Sequence, residues 1–353
     1  QAPLGEFGQE RESFRKIKIF NYFMNDFGDQ LAPLAVRPPD VRPKGPADFL
    51  VPRFSVRTNG TEGFVFWNNY VRYYPLPAWT NVQVTVRLPN EVLQIPREPI
   101  TVPSGAYFIW PFNFDLSGIK LNYSTAQLFT KLTSNGITTY FFVAIPGIAP
   151  QFGFDGKTVE SIESGGGQTA HDDGNEYVTV SKPGLNAAIS LRTKTGAEVK
   201  IVVLSQDEAE SAWKVNMDGS EHLLFTKQQY FADKTRIYLQ SIGDNKFEFQ
   251  LLPQTSLKLT GSHAIQSKAL PDGITGYDAT VPARDIRLTY TRIQDAGKVP
   301  PVKMGPWIAW RNTAVAEAPG DSAFADAAKW MVTVPDEFPS DLSELFLEAK
   351  YYG

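Results

Sequence analysis

The chain has 353 residues, enough for about two or three domains with a sizeable core. Hydrophobic residues at 42% and charged residues at 20% exclude a disordered chain, and a formal net charge of −4 with no basic run excludes a phosphate-backbone partner. Cysteine is absent, which excludes disulfide frameworks, thiolate zinc sites and cysteine nucleophiles.

In chain order, the first expected element is an amphipathic helix from about Arg11 to Phe27. Phe14, Ile17, Phe20, Phe23 or Met24, and Phe27 recur at three- to four-residue spacing, and Gly28 stands where a left-handed C-terminal cap would fall. Pro33, Pro38, Pro39, Pro43 and Pro46 then crowd into what reads as an extended linker and a domain boundary, because proline cannot donate the backbone hydrogen bond of a helix or central strand. Beyond it, period-two alternation dominates. Val82, Val84, Val86 and Leu88 face one way and Gln83, Thr85 and Arg87 the other; Phe247, Phe249 and Leu251, and Ile286, Leu288 and Tyr290, repeat the pattern. These are half-buried strands of antiparallel sheets.

The stretch from Asp155 to Asn175 is polar, contains Gly165-Gly166-Gly167, and reads as a flexible connection, with strands resuming at Tyr177. A strand from Val199 to Leu204 runs into Ser205-Gln206-Asp207-Glu208, the spacing of a capping box, so a short helix with Ala209, Ala212 and Trp213 on its packed face is expected. Ile242 to Lys246 reads as a hairpin turn, and Ala323 to Trp330 as a short helical turn before another strand. No apolar run reaches the roughly 20 residues of a membrane-spanning helix; Ile137 to Ile148 is broken by Thr138, Thr139, Pro146 and Gly147.

Five stretches carry a resemblance to a known family. The run Ala2-Pro3-Leu4-Gly5-Glu6-Phe7-Gly8-Gln9 with the helix after it resembles the exit from the last barrel strand, and the last barrel helix, of family 35 glycoside hydrolases, best known as β-galactosidases. Thr61 to Tyr70 and Val102 to Pro111 resemble the β-rich region that follows the barrel there, and the Val203 to Trp213 strand–helix unit fits it less closely. Leu345 to Gly353 resembles the opening strand of a jelly-roll, galactose-binding-like domain.

The resemblance implies a piece cut at both ends, with the (β/α)8 barrel and both glutamates of a retaining mechanism upstream, so no catalytic residue is assigned here. The implied fold class is mainly β, with several antiparallel β-sandwich or jelly-roll-like domains after one N-terminal amphipathic helix left over from the barrel. The implied organisation is 1–30 barrel exit and last barrel helix, 31–50 proline-rich linker, 51–150 first β domain, 151–260 second β domain with a short helix, and 261–353 third β region. Secretion or a periplasmic location also follows. Partners would be a galactoside-containing oligosaccharide or polysaccharide, the missing barrel and a possible second copy of the chain; neither nucleic acid nor membrane is expected. The apolar face of the Phe14 to Phe27 helix, normally covered by the barrel, is expected to be exposed and to promote association.

An independent active site finds little support in the residues. His171, His222 and His263 are scattered without metal-binding spacing, and His171 to Glu176 offers oxygens without the ligand order of a calcium loop, so no metal or cofactor is assigned. Sugar contact remains. Trp67, Tyr70, Tyr73, Tyr74, Trp79, Tyr107 and Trp110 crowd together; rings of this kind either stack on the C–H face of a pyranose or fill cores, while Asn68, Asn69 and Asn113 offer amides to hydroxyls. The candidate sugar contacts are Trp67, Asn68, Asn69, Tyr70 and Trp110. Two roles follow: a non-catalytic β part of a β-galactosidase, or a stand-alone carbohydrate-binding or structural module.

Overall fold

In the computed structural model, helix α1 spans Glu12–Leu31. The residues described are 2–6, 8–217, 219–233, 236–241, 245–254, 259–261 and 263–282, with the backbone of short strands between 303 and 352. The helix passes through Gly28, which keeps helical geometry: Ala32 N–H donates to Gly28 O at 2.8 Å. Glycine in a helix costs about 1 kcal/mol relative to alanine. Burial of the following Leu31, 3% exposed, returns about 2 kcal/mol, so the helix gains one more turn than its glycine suggests.

After α1 come β1 (Ala35–Arg37), β2 (Phe54–Thr58), β3 (Gly63–Asn68), β4 (Trp79–Arg87), β5 (Val92–Val102), β6 (Tyr107–Leu116), β7 (Ile119–Ser124), β8 (Gln127–Ser134), β9 (Ile137–Val143) and β10 (Gln151–Asp155). Then follow β11 (Val159–Ser164), β12 (Gly167–Asp172), β13 (Asn175–Val180), β14 (Ala188–Thr193), β15 (Glu198–Leu204), α2 (Gln206–Ser211), β16 (Ala212–Met217), β17 (Ser220–Phe225), β18 (Gln229–Ala232), β19 (Ile237–Gln240), β20 (Lys246–Leu252), β21 (Ile265–Leu270) and β22 (Ile274–Thr280). The chain divides into two units, residues 1–283 and 284–353. In the second, β23 (Lys303–Met304), β24 (Trp307–Arg311), β25 (Lys329–Val332), β26 (Leu345–Glu348) and β27 (Tyr351–Tyr352) form the ladders β23-β27 and β25-β24-β26.

The mainly β reading holds, with several antiparallel sheets and a helix at the N-terminal end. An eight-stranded sheet, β1-β2-β3-β6-β7-β10-β13-β12, packs on a five-stranded sheet, β11-β14-β15-β9-β8, whose β15–β9 pair is parallel. Their facing rows, Phe114, Leu121, Phe152 and Phe154 against Phe142, Leu191 and Ile201, make the largest core. The outer face of β3 and β6 is covered by the β4–β5 hairpin, where Val84 and Val86 are buried as their alternation requires. A third sheet, β16-β17-β20-β22-β21, packs Leu223 and Phe225 behind the five-stranded sheet. In β20, Phe249 and Leu251 are buried and Phe247 half-buried. Gly63 has no substitute: a Cβ there would lie 2.1 Å from Arg57 O.

Several expectations need correction. The proline-rich stretch is not only linker, because Ala35–Arg37 pairs with β2 as the edge of the large sheet. The Asp155 to Asn175 stretch is not a loose connection: β11 and β12 lie in it, Gly166 turns between them at φ 96°, and Gly167 begins β12. Strand β13 begins at Asn175 rather than Tyr177. Helix α2 ends at Ser211, so Ala212 and Trp213 are buried as strand residues. The Phe14 to Phe27 face is not bare. Phe23 and Phe27 enter the main core, Ile19 packs behind the five-stranded sheet, and Phe14 stacks on Trp213 at 6.2 Å, so this chain's own sheets cover part of that face, while Ile17, Phe20 and Met24 at its edge stay exposed. The turn at 242–244, the strand at Ile286, Leu288 and Tyr290, and residues 323–328 of the expected helical turn lie outside the described residues; Lys329 and Trp330 begin β25.

Candidate functional site

Strands β3 and β6 run antiparallel with Trp67 opposite Phe108 and Asn68 opposite Tyr107. Because successive side chains alternate, the first pair points to one face and the second to the other. The first face is core: Phe54, Trp67, Phe108 and Trp110 form one near-parallel stack with ring centroids 5.5, 5.9 and 3.8 Å apart. Trp67 is 5% and Trp110 0% exposed, so neither presents a face to a sugar. They fill the space under the β4–β5 hairpin instead. Asn69 is likewise structural. Its Nδ2 donates to Pro77 O at 2.9 Å and Pro103 O at 2.8 Å, and its Oδ1 accepts from Trp79 Nε1 at 3.0 Å, pinning the hairpin to the sheet.

The second pair looks into a cleft of about 800 Å³ between the end of this sheet, α1 and α2. Its floor is Phe66, Ile109 and Val143, and the exposed rings of Phe20 and Tyr107 flank it. Asn68 Oδ1 accepts from Tyr70 N–H at 3.0 Å, and Gln127 Oε1 accepts from Ile109 N–H at 3.3 Å. Neither amide nitrogen has a hydrogen-bond partner among the described residues, so both are available to a ligand acceptor. Tyr70 is 57% exposed but does not line the cleft. Of the five sequence candidates, the structure brings only Asn68 and Trp67 to this cleft, and only Asn68 turns its side chain toward it.

The rim carries both signs of charge. Glu12 is ion-paired with Lys16 one turn on; that hydrogen bond lowers the Glu12 pKa and raises that of Lys16, against partial burial of the amine. Glu210 Oε1 accepts from Gln206 Nε2 at 2.9 Å. Apolar floor, exposed rings and convergent amides suit a ligand with one apolar face and many hydroxyls. Among the described residues, no group of three or more His, Asp or Glu is placed to hold a metal ion. In the acidic loop, Glu176 accepts from or donates to His171 Nδ1 at 2.8 Å, and Asp172 pairs with Arg97 at 2.9 Å.

Two residues of the cleft escape sequence reading as candidates. Tyr107 stands in the aromatic crowd with nothing in its composition to rank it above Trp67; the register Asn68 to Tyr107 does so. Gln127 opens β8 as a polar residue 9% exposed, before the wholly buried Leu128 and Phe129. No protein-family model matches the chain, and no curated protein matches it either.

Proposed function

We propose that this chain is the non-catalytic β part of a β-galactosidase, packing against a (β/α)8 barrel that hydrolyses terminal β-galactosides with its own two glutamates. The resemblance of Ala2 to Gly8, and of Thr61 to Tyr70 and Val102 to Pro111, motivates the family. One structural observation supports the packing: the apolar stripe of α1 is wider than its own sheets cover. Its inner residues Ile19, Phe23, Phe27 and Leu31 are buried on the chain's own sheets, while Ile17, Phe20 and Met24, at i, i+3 and i+7, are 48%, 46% and 37% exposed. An apolar stripe that runs past its contact with one layer leaves an edge for a second layer to cover. The barrel is the second layer in this reading, and secretion or export belongs to the same proposal. Among the described residues no helix is long and apolar enough to cross a membrane.

The test is sedimentation velocity with an apolar-surface dye, comparing the chain with its Ile17→Ser, Phe20→Ser, Met24→Ser variant. Concentration-dependent association and dye binding, both abolished in the variant, support a docking face. A monomer that binds no dye before mutation removes the support.

A stand-alone carbohydrate-binding role is the second reading, favoured by Asn68 and Tyr107 side by side on an open cleft. It requires the isolated chain to bind galacto-oligosaccharides and to lose them on Tyr107→Ala.

A further inference from the structure

Gln127 opens β8 opposite Val143 and lines the cleft together with Phe66, Ile109 and Val143. It is only 9% exposed, and its Oε1 accepts from Ile109 N–H at 3.3 Å. A backbone N–H can only donate, so the amide oxygen must face it and the nitrogen is the free end. That Nε2 has no partner among the described residues, yet it is not one of the fully enclosed unpartnered atoms. It therefore keeps contact with solvent, and the open space that Gln127 borders is the cleft. Asn68 repeats the arrangement, because its Oδ1 accepts from Tyr70 N–H and leaves Nδ2 as the free end. Tyr107 stands opposite Asn68, and Ile109 lies two residues farther along the same face of β6, about 7 Å on.

Both amides thus offer a donor. At Gln127 the floor offers a ligand hydroxyl nothing in return: the side chains of Phe66, Ile109 and Val143 have no acceptor, and Gln127 Oε1 already holds Ile109 N–H. A hydroxyl accepting from Nε2 would leave its own proton unpaired in an apolar recess, which is costly. A carbonyl has no proton to place. A carboxylate has none either, but it would meet Glu12, Asp207 and Glu210 in the same cleft; Lys16 is ion-paired with Glu12, and Arg53 donates to the backbone of Gly45, Pro46 and Asp48. Among neutral carbonyl groups an acetamide suits the floor, since its methyl buries against apolar side chains and its N–H has the cleft's carboxylates to bond. Tyr107, 52% exposed, supplies a flat ring for a pyranose face, and Asn68 Nδ2 a donor for a sugar oxygen.

We infer that the cleft binds an N-acetylated hexosamine, its acetamido carbonyl accepting from Gln127 Nε2, its acetyl methyl on Phe66, Ile109 and Val143, and its ring against Tyr107. The inference rests on the second reading above, the cleft as a carbohydrate site, and not on the barrel.

The test compares affinities of the chain, by NMR titration, within two pairs of neutral sugars: lactose with N-acetyllactosamine, and galactose with N-acetylgalactosamine. Each pair differs only by an acetamido group in place of a hydroxyl at C2. In at least one pair the acetamido member should bind about tenfold tighter or more, and its acetyl methyl should receive the largest saturation transfer from the protein. Gln127→Glu keeps an acceptor for Ile109 N–H and removes the donor, so it should erase the preference; the methyl transfer is read on the unaltered chain and stands even if that variant does not fold. Equal affinities within both pairs, or transfer centred on the ring instead of the methyl, overturn the inference and leave the carbohydrate reading in place. A folded Gln127→Glu variant that retains the preference also overturns it. No binding of any sugar at tens of millimolar overturns both. Nε-acetyl-lysine binding tighter than every sugar would assign the acetamide to a modified protein and overturn the hexosamine.

Discussion

The Lys18 amine lies inside the protein, 3.6 Å from the centroid of the Trp213 ring, donating to Glu210 O at 2.8 Å and Ala212 O at 2.5 Å. Burial, with Arg15 beside it, draws its pKa from 10.5 down to about 7, against Glu10 and Glu210, which raise it. The indole face also favours the cation, but a neutral amine still has two N–H groups for the two carbonyls. In the unfolded chain the proton stays on to about 10.5, so between pH 7 and 10.5 the unfolded state binds more protons and stability rises with pH. Tyrosines act in the opposite sense. Burial holds Tyr230 up to about 12 and raises Tyr123 and Tyr22 as well, so above pH 10 the folded state retains protons that the unfolded state loses. Urea midpoints should therefore climb from pH 7 toward 10 and fall beyond it, and Lys18→Met should flatten the climb; a wild-type midpoint level over that range would refute the assignment. Asp26 is a second residue whose role only the structure reveals. It accepts from Thr130 Oγ1 at 2.5 Å, Lys131 N–H at 3.0 Å and Lys214 Nζ at 2.8 Å, tying α1 to β8 and β16. Asp26→Ala leaves Thr130 Oγ1 and Lys131 N–H without their acceptor and Lys214 with Glu221 alone, and should cost about 3 kcal/mol by chemical denaturation. A cost below about 1 kcal/mol would mean water replaces the carboxylate. Neither residue is legible in sequence, since their partners lie 104 to 194 positions away, in β8, α2 and β16. Asn68 and Tyr107 are half-legible: residue type marks them, but only the β3–β6 register separates them from Trp67 and Trp110.

Local chemistry fixes some elements outright. Ser205 caps α2 as its spacing requires: Ser205 Oγ accepts from Glu208 N–H at 3.3 Å and Glu208 Oε2 accepts from Ser205 N–H at 2.9 Å. Glu208 Oε1 also accepts from Leu185 N–H at 3.0 Å, so the box fastens the helix to the loop before β14. Ser205→Ala should cost about 1 kcal/mol, and Glu208→Ala more because it frees two backbone N–H groups; equal costs would mean the Leu185 bond contributes nothing. Alternation in β4 and β20 is likewise readable, because each strand buries one face on one core. The polar β11 and β12 are not. β12 is an exposed edge strand that pairs, among the described residues, with β13 alone, so Gln168, Thr169 and Ala170 carry no apolar period to read. In α1, sequence finds the helix but not its end or its seat. Leu31 and Leu34 lie in the main core, and that burial carries the helix past a glycine which, taken alone, signals a stop. Phe23→Ala, which empties a 0% exposed site between the helix and Phe64, should cost ~3–5 kcal/mol. A loss under about 1 kcal/mol would show that α1 is not seated there.

On the scale of the whole molecule, α1 is the common strut of residues 1–283. It gives Phe23 and Phe27 to the sandwich core, Ile19 to the layer behind it and Phe14 to the core of the third sheet. Three sheets meet on one helix, and the edge of its apolar stripe, Ile17, Phe20 and Met24, stays exposed. The proposal that a barrel covers that outward stripe carries the rest of the functional account, because it ties a β-rich chain to a hydrolase without asking its own carboxylates to do the chemistry. The most direct measurement joins this chain to the (β/α)8 barrel of a family 35 β-galactosidase in place of that enzyme's own β part. Hydrolysis of a chromogenic β-galactoside and hydroxyl-radical oxidation of Met24 are then followed in the fusion and in the chain alone. The account predicts turnover and a protected Met24 in the fusion, with no turnover and an oxidised Met24 in the chain alone. Equal oxidation of Met24 in both, or turnover that tracks with the pure chain, would contradict it.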